Sequence, residues 1–428
     1  MILQKKNNTN SILIYLTLII LLFILGFILQ EDSSGGGKLD FAHEYKSFLV
    51  FKNGILQALT SPNYESSRTP LFLILNAFNI FADDEFSYRL TNFIFNFIIY
   101  FSFFYCLKVQ NKFDFEKVLL ISSILLLSPY FRSSSYWAHQ ENLPFLFYFL
   151  SIALIFKWEK NFRNLFLLKV FTIAFLSCLS FYSDQKFIFV SLSTFWILIY
   201  KLDLSKYQKF NIFFIYFLTS LPALYLFTLW EGIVPKESQF RLGFNKENIS
   251  ASLSIVSFYF IPLIIFFYKN LLLNFKTNTL TNIDILVIFL ILSVILITMP
   301  SFNSLWGNGV IYKLFSVFKL KIGINENILL LLYCFYLQLT LSAIYIILKN
   351  DLLNFLPIII VVGITSLVER TYNEYFDPLI FVLIFTFFKY GNQYKVNRNS
   401  LIMYYIVFYS ALLIFANIYY KNFNLNAI

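Results

Sequence analysis

The chain has 428 residues, of which 59% are hydrophobic and only 13% charged, with 56 Phe and a formal net charge of +10. Its mean hydropathy of +0.70 leaves too few polar residues to cover a water-facing surface, which excludes a soluble enzyme or a soluble basic nucleic-acid-binding domain as the main body. A bilayer core about 30 Å thick takes helices of roughly 20 apolar residues, and such stretches recur from Ser11 to Tyr420.

Taken in chain order, the first stretch, Ser11 to Leu29, follows Lys5 and Lys6. It is longer than a secretory signal core and no small-residue cleavage site precedes Gln30, so it reads as a retained first helix. Further spans are predicted near 88–107, 118–131, 143–156, 165–182, 187–200, 210–230, 251–268, 283–299, 327–348, 355–368, 376–388 and 401–420. Several are short, so 11 to 13 crossings are expected. The expected fold class is an all-α polytopic transmembrane bundle, a single domain over residues 1–428, with interfacial helices in a first loop at 30–87. Cys106, Cys178 and Cys334 fall inside spans, where they read as packing residues. The excess of Lys, Asn, Ile, Phe and Tyr is the bias of an AT-rich genome and points to a bacterium, hence to its inner (plasma) membrane.

Lys and Arg gather in cytoplasmic loops. With the N-terminus placed in the cytoplasm, the loops on that side hold 17 basic residues against six acidic ones, and the opposite side holds 15 against 17. The excess positive charge therefore belongs to one face, where contact with anionic membrane lipids explains it better than nucleic acid does.

Three external segments are longer than connectors: 30–85, 231–250 and 300–327. In the first, Phe48, Phe51, Ile55 and Leu59 recur at helical spacing against Lys46, Lys52 and Gln57, as in a helix lying at a membrane surface. Residues 70–82 are too short to span and open with Pro70, a favoured start for a second such helix. The third segment interleaves Leu314, Phe315 and Phe318 with Lys313, Lys319 and Lys321. Two readings stand open for it, a plain lipid anchor and a clamp on the phosphate of a lipid-linked substrate.

Ionisable residues are almost absent within the spans, Lys169 and Asp284 lying near span ends. A coupled transporter needs charged relays at membrane depth, so transport is disfavoured. The polar chemistry instead sits in external loops: GGGKLDFAHEY with Asp40, His43 and Glu44, YESSRTP with Glu65 and Arg68, YWAHQEN with His139 and Glu141, YSDQK with Asp184, Gln185 and Lys186, and ERTYNEYFDP with Glu369, Arg370 and Tyr372. Converging over an apolar floor, they would offer cations for a phosphate, a carboxylate as base and a groove for a lipid tail.

This arrangement resembles the GT-C superfamily of membrane glycosyltransferases, including its bacterial family 39-like members and those that glucosylate lipid-linked oligosaccharides. Asp40 stands where these proteins carry an acidic residue soon after the first helix, SSRTPLFLIL resembles the Pro-containing entry to their next hydrophobic segment, SDQKFIFVSL a short middle motif, and LVERTYNEYFDPLIF a late Arg-Tyr signature. The departures are a Phe after Asp40, Thr371 inserted between Arg370 and Tyr372, and Asp184 where an arginine is expected.

The resemblance implies inverting transfer of a sugar from a polyprenyl-phosphate donor to a lipid-linked or other glycan acceptor on the exoplasmic face. Asp40 would be the base and Glu44 its catalytic neighbour, orienting the acceptor or helping to hold a divalent cation. Arg370 and Lys186 would hold the phosphate, with Arg68, His139, Glu141, Gln185 and Tyr372 completing the substrate site. Local readings compete: Asp40 as a helix cap, Arg370 snorkelling to lipid headgroups, and His139 and Glu141 on a solvated loop. Whole-chain alternatives are an O-antigen or capsule polymerase and a lipid-linked oligosaccharide flippase or transporter.

Overall fold

A computed structural model describes residues 2–66, 68–276, 281–304, 307–389 and 398–423. Every regular element among them is helical, with one isolated antiparallel bridge between Leu242 and Val368. Among the described residues, eight helices are long and apolar enough to cross a bilayer: Asn10–Ile28, Glu85–Val109, Gln140–Asn161, Phe166–Ser183, Lys206–Trp230, Glu247–Leu272, Glu326–Leu348 and Asn399–Lys421. Their outward residues are greasy, as with Leu13, Ile14 and Leu18 on the first and Phe210, Phe213 and Phe214 on the fifth. Only a lipid environment accepts such faces, and the chain is a multi-pass integral membrane protein of all-α fold.

The other expected spans take different forms. The one expected at 118–131 is two helices meeting at a 65° bend, and Gln185–Tyr200, Asn282–Ile297 and Leu352–Thr365 are apolar but short. The one expected at 376–388 holds only an eight-residue helix, Leu379–Thr386.

The residues group into two compact units, Met1–Phe240 with Tyr409–Ile428, and Arg241–Phe408. The first unit contains α1 (Ile2–Ile28), α2 (Gly37–Asn53), α3 (Ile55–Ala58), α4 (Leu71–Ala77), α5 (Glu85–Val109), α6 (Phe115–Leu125), α7 (Pro129–Tyr136), α8 (Leu143–Trp158), α9 (Phe166–Ser183), α10 (Ile188–Lys201) and α11 (Lys206–Trp230). Asp84 caps α5 through Ser87 N at 2.7 Å, and Ser128 caps α7, with Pro129 at its first position. A buried aromatic cluster of Phe23, Phe27, Phe93, Phe131 and Tyr136 joins α1, α5 and α7.

The expected surface helix is α2, which turns Phe41, Phe48 and Phe51 inward and Lys46 outward. Its start is held by Asp32, whose carboxylate accepts from the backbone N–H of Gly35, Gly37 and Lys38 at 3.0 to 3.2 Å and from Ser133 Oγ at 3.1 Å. Trp137 closes the same corner, its Nε1 donating to Glu31 O at 3.0 Å beneath the Arg89 guanidinium, 3.9 Å from the ring centre.

The bend between α6 and α7 frees backbone groups that hydrocarbon cannot satisfy. Arg132 Nη1 donates to Leu126 O at 3.1 Å, Ser33 Oγ to Pro129 O at 2.7 Å, and Asn142 Nδ2 to Phe131 O at 2.9 Å. The remaining Arg132 nitrogens bind Leu22 O at 3.1 Å and both Glu31 oxygens at 2.6 and 2.9 Å. This buried polar frame carries His139, Gln140, Glu141 and Asn142 into the interior.

The second unit contains α12 (Glu247–Lys276), α13 (Asn282–Ile297), α14 (Gly309–Val317), α15 (Glu326–Leu348), α16 (Phe355–Thr365), α17 (Leu379–Thr386) and the start of α18 (Arg398–Phe423). Asp284 binds Lys349 Nζ at 2.7 Å and Tyr345 Oη at 3.0 Å, a structural tie between α13 and α15. After α14 the chain makes one wide turn, Phe318–Ile322. There Lys319 spends all three donors on Ser301 O, Asn303 Oδ1 and Glu326 Oε1 at 2.6 to 2.8 Å, so it fastens a loop. Lys321 and Ile322 stay exposed beside it.

Candidate functional site

Within the first unit, α2, the 64–70 loop, the α7–α8 junction and the α9–α10 junction bring charged side chains around Arg68. Tyr64 Oη donates to Arg68 O at 2.6 Å, and Thr69 Oγ1 to Phe181 O at 2.9 Å, which seats the loop against α9. The guanidinium faces three carboxylates. Its Nη2 donates to Glu141 Oε1, Nη1 lies 3.7 Å from Glu44 Oε1, and Nε lies 3.4 Å from Asp184 Oδ2. Lys186 Nζ is 3.2 Å from the same Asp184 oxygen. Glu44, Glu141, Asp184 and Lys186 are all buried.

Uncharged groups complete the arrangement. Ser134 Oγ donates to Glu141 Oε2 at 2.8 Å, and Gln140 Nε2 donates to Ser66 Oγ at 2.6 Å and to Glu44 Oε1 at 3.3 Å. Ser66 Oγ in turn donates to Glu44 Oε1 at 3.1 Å. His139 Nε2 donates to Gly37 O at 2.9 Å, which fixes that nitrogen as protonated. Glu44 Oε2 and Gln140 Oε1 are buried acceptors with no hydrogen-bond donor among the described residues.

The cluster sets three carboxylates, Glu44, Glu141 and Asp184, against two cations, Arg68 and Lys186. Burial pushes the Glu44 carboxyl above the usual carboxylate range, and Arg68, His139 and the Ser66 hydroxyl pull back only part of that rise. A buried carboxylate with one occupied and one open oxygen, poised to take up a proton, has the chemistry of a general base.

Of the residues singled out in the sequence, the structure brings Glu44, Arg68, His139, Glu141, Asp184 and Lys186 together. Asp40 is exposed in the first turn of α2, one turn before Glu44 and outside the cluster. Gln185 Nε2 points to Ile233 O at 3.4 Å. Arg370 and Tyr372 belong to the second unit, Arg370 Nε lying 3.8 Å from Glu369 Oε1 and the Tyr372 ring edge-on to Tyr375. Ser66, Gln140 and Ser134 are members that sequence reasoning missed. Ser66 and Gln140 stand inside the motifs YESSRTP and YWAHQEN, beside residues that were singled out.

His43 and Glu65 form an outer pair, Nδ1 to Oε2 at 2.6 Å, with Lys46 on the other Glu65 oxygen. These hydrogen bonds, that of Lys46 foremost, hold the Glu65 carboxyl below its ordinary value. Among the described residues, no group of three or more His, Cys, Asp or Glu side chains is arranged to hold a metal ion. Compared with known proteins, the chain matches no family model, and no curated protein or solved structure is significantly similar to it.

Proposed function

We propose that the chain is a membrane glycosyltransferase of GT-C type, moving a sugar from a polyprenyl-phosphate donor to a lipid-linked glycan or other cell-envelope acceptor at the exoplasmic face of a bacterial plasma membrane. The observation that carries this reading is the buried cluster in which Glu44 meets Arg68, Glu141, Asp184 and Lys186 at the ends of apolar helices. Carboxylates and cations are there held together out of water, the pair of groups that a reaction between a phosphate-linked sugar and a hydroxyl requires.

In this reading Glu44 takes the place the sequence suggested for Asp40. Its open oxygen accepts the proton of the acceptor hydroxyl while that hydroxyl oxygen forms a bond to the anomeric carbon. The bond from that carbon to the phosphate oxygen breaks, and polyprenyl phosphate leaves with the electron pair, its new charge met by Arg68 and Lys186. Arg370 and Tyr372 enter as phosphate and substrate contacts from the sequence resemblance alone.

The test is to incubate purified protein with a panel of polyprenyl-phosphate sugars and measure release of polyprenyl phosphate. Glu44→Gln is expected to lower transfer by about 100-fold or more, whereas Asp40→Asn keeps most of it. Full activity in Glu44→Gln removes Glu44 as base, and no release from any donor removes the glycosyltransferase reading.

A further inference from the structure

The entry to α2, the helix that carries Glu44, is weak by itself. Gly35, Gly36 and Gly37 bring no side chains, the capping position Gly36 makes no side-chain hydrogen bond, and glycine loses more backbone freedom on folding than any other residue. The corner is held from outside. Asp32 grips the backbone N–H groups of Gly35, Gly37 and Lys38. A Cβ at Gly37 would run into Ser133 and Trp137, and a Cβ at Gly35 would run into the ring of Tyr420 in the last turn of α18. At Gly35 glycine is doubly required, because φ is +78° and the Tyr420 ring fills the space a side chain would take.

This corner is tied to the charged cluster. The Gly37 carbonyl accepts from His139 Nε2 at 2.9 Å, and a charge on His139 pulls down the Glu44 carboxyl, so the two side chains stand near each other. Glu44 itself lies two turns along α2 from Gly37. Tyr420 is remote from both in sequence and belongs with them to the first compact unit. A helix moves as a rod, so a shift at its entry carries its inward side chains with it.

We propose that Tyr420 is a positioning residue for the Glu44 site: its ring, lying on Gly35, clamps the entry of α2 and so fixes where Glu44 and His139 stand. The role in positioning rests on the reading of the cluster as catalytic, whereas the clamp can be measured without it.

Hydrogen exchange of the full-length protein in detergent, read by mass spectrometry over residues 31–45, reports the clamp. Tyr420→Ala should speed exchange there about 5-fold, the weight of one lost aromatic contact, while Tyr420→Phe keeps the ring and should leave it unchanged. Gly35→Ala drives the ring from its seat and should also speed exchange, and adding Tyr420→Ala to it should cost nothing more, since both break one contact. In the polyprenyl-phosphate release assay, Tyr420→Ala should lower kcat about 10-fold or more with KM little changed, the result of a displaced base, and Tyr420→Phe should restore it. Unchanged exchange in Tyr420→Ala, an equal effect in Tyr420→Phe, or additive effects of the two alanines would overturn the clamp. Faster exchange with full kcat would overturn the role in positioning. No release by wild type from any donor defeats the glycosyltransferase reading, and with it that role, while the exchange measurement still decides the clamp.

Discussion

Glu44 and Glu65 lie on the same stretch of chain and answer to opposite forces. Burial raises the Glu44 carboxyl, so transfer that needs it ionised should climb with pH through a midpoint above the ordinary carboxylate range. A pH profile of polyprenyl-phosphate release shows this limb, and Glu44→Gln should lose it along with the rate. Glu65 is instead lowered by Lys46 and His43. A depressed folded-state value contributes stability above the unfolded carboxylate value and loses it as pH falls through the folded one. The partners are half exposed, so the contribution is about 1 kcal/mol or less. Melting temperatures of wild type and Glu65→Gln should differ slightly at pH 7 and converge as pH falls below the lowered folded-state value; a gap that widens in acid would contradict the assignment. The sequence made six of the clustered residues legible, Asp184 among them, because charges stand out against a greasy chain. It did not separate Asp40 from Glu44, since both are acids of one helix and only packing shows which is turned inward.

At the scale of elements, the bend between α6 and α7 is the feature on which the cluster is built. Arg132 joins the loose carbonyl of Leu126, a carbonyl of α1 and the Glu31 carboxylate. Arg132→Met keeps the bulk but leaves the partly buried Glu31 carboxylate without its cation, a loss of about 2–4 kcal/mol, below the full cost of a wholly buried charge. Unfolding in mixed micelles should read this, and a change below about 1 kcal/mol would mean that the neighbouring hydroxyls and amides hold the bend unaided. Long helices such as α5, α11 and α15 were readable from hydropathy because each carries its full apolar length in one run. The bend was read as one straight span because residues 118–131 stay apolar across the break, and only the Ser128–Pro129 cap marks it.

For the whole molecule, hydropathy alone made the membrane class legible, and the uneven charge gave an orientation. Asp40 and Asp203 are exposed and lie on opposite sides in that orientation, which makes them a matched pair of reporters. In a Cys334→Ser background, where Cys106 and Cys178 are buried, an impermeant maleimide added to intact cells should label Asp40→Cys. Asp203→Cys should react only after permeabilisation. The reverse pattern would place the cluster in the cytosol and remove any exoplasmic donor from its reach.

The corner occupied by Trp137 has a practical use. Its indole is pinned by Glu31, covered by Arg89 and packed against Phe41 on the same helix as Glu44. A fluorophore native to the chain therefore sits between the bent segment and the helix that carries Glu44. On the proposed glycosyltransferase reading, an incoming lipid-linked glycan that shifts this helix would change the ring's surroundings, and Trp137 emission would report occupancy without any attached dye.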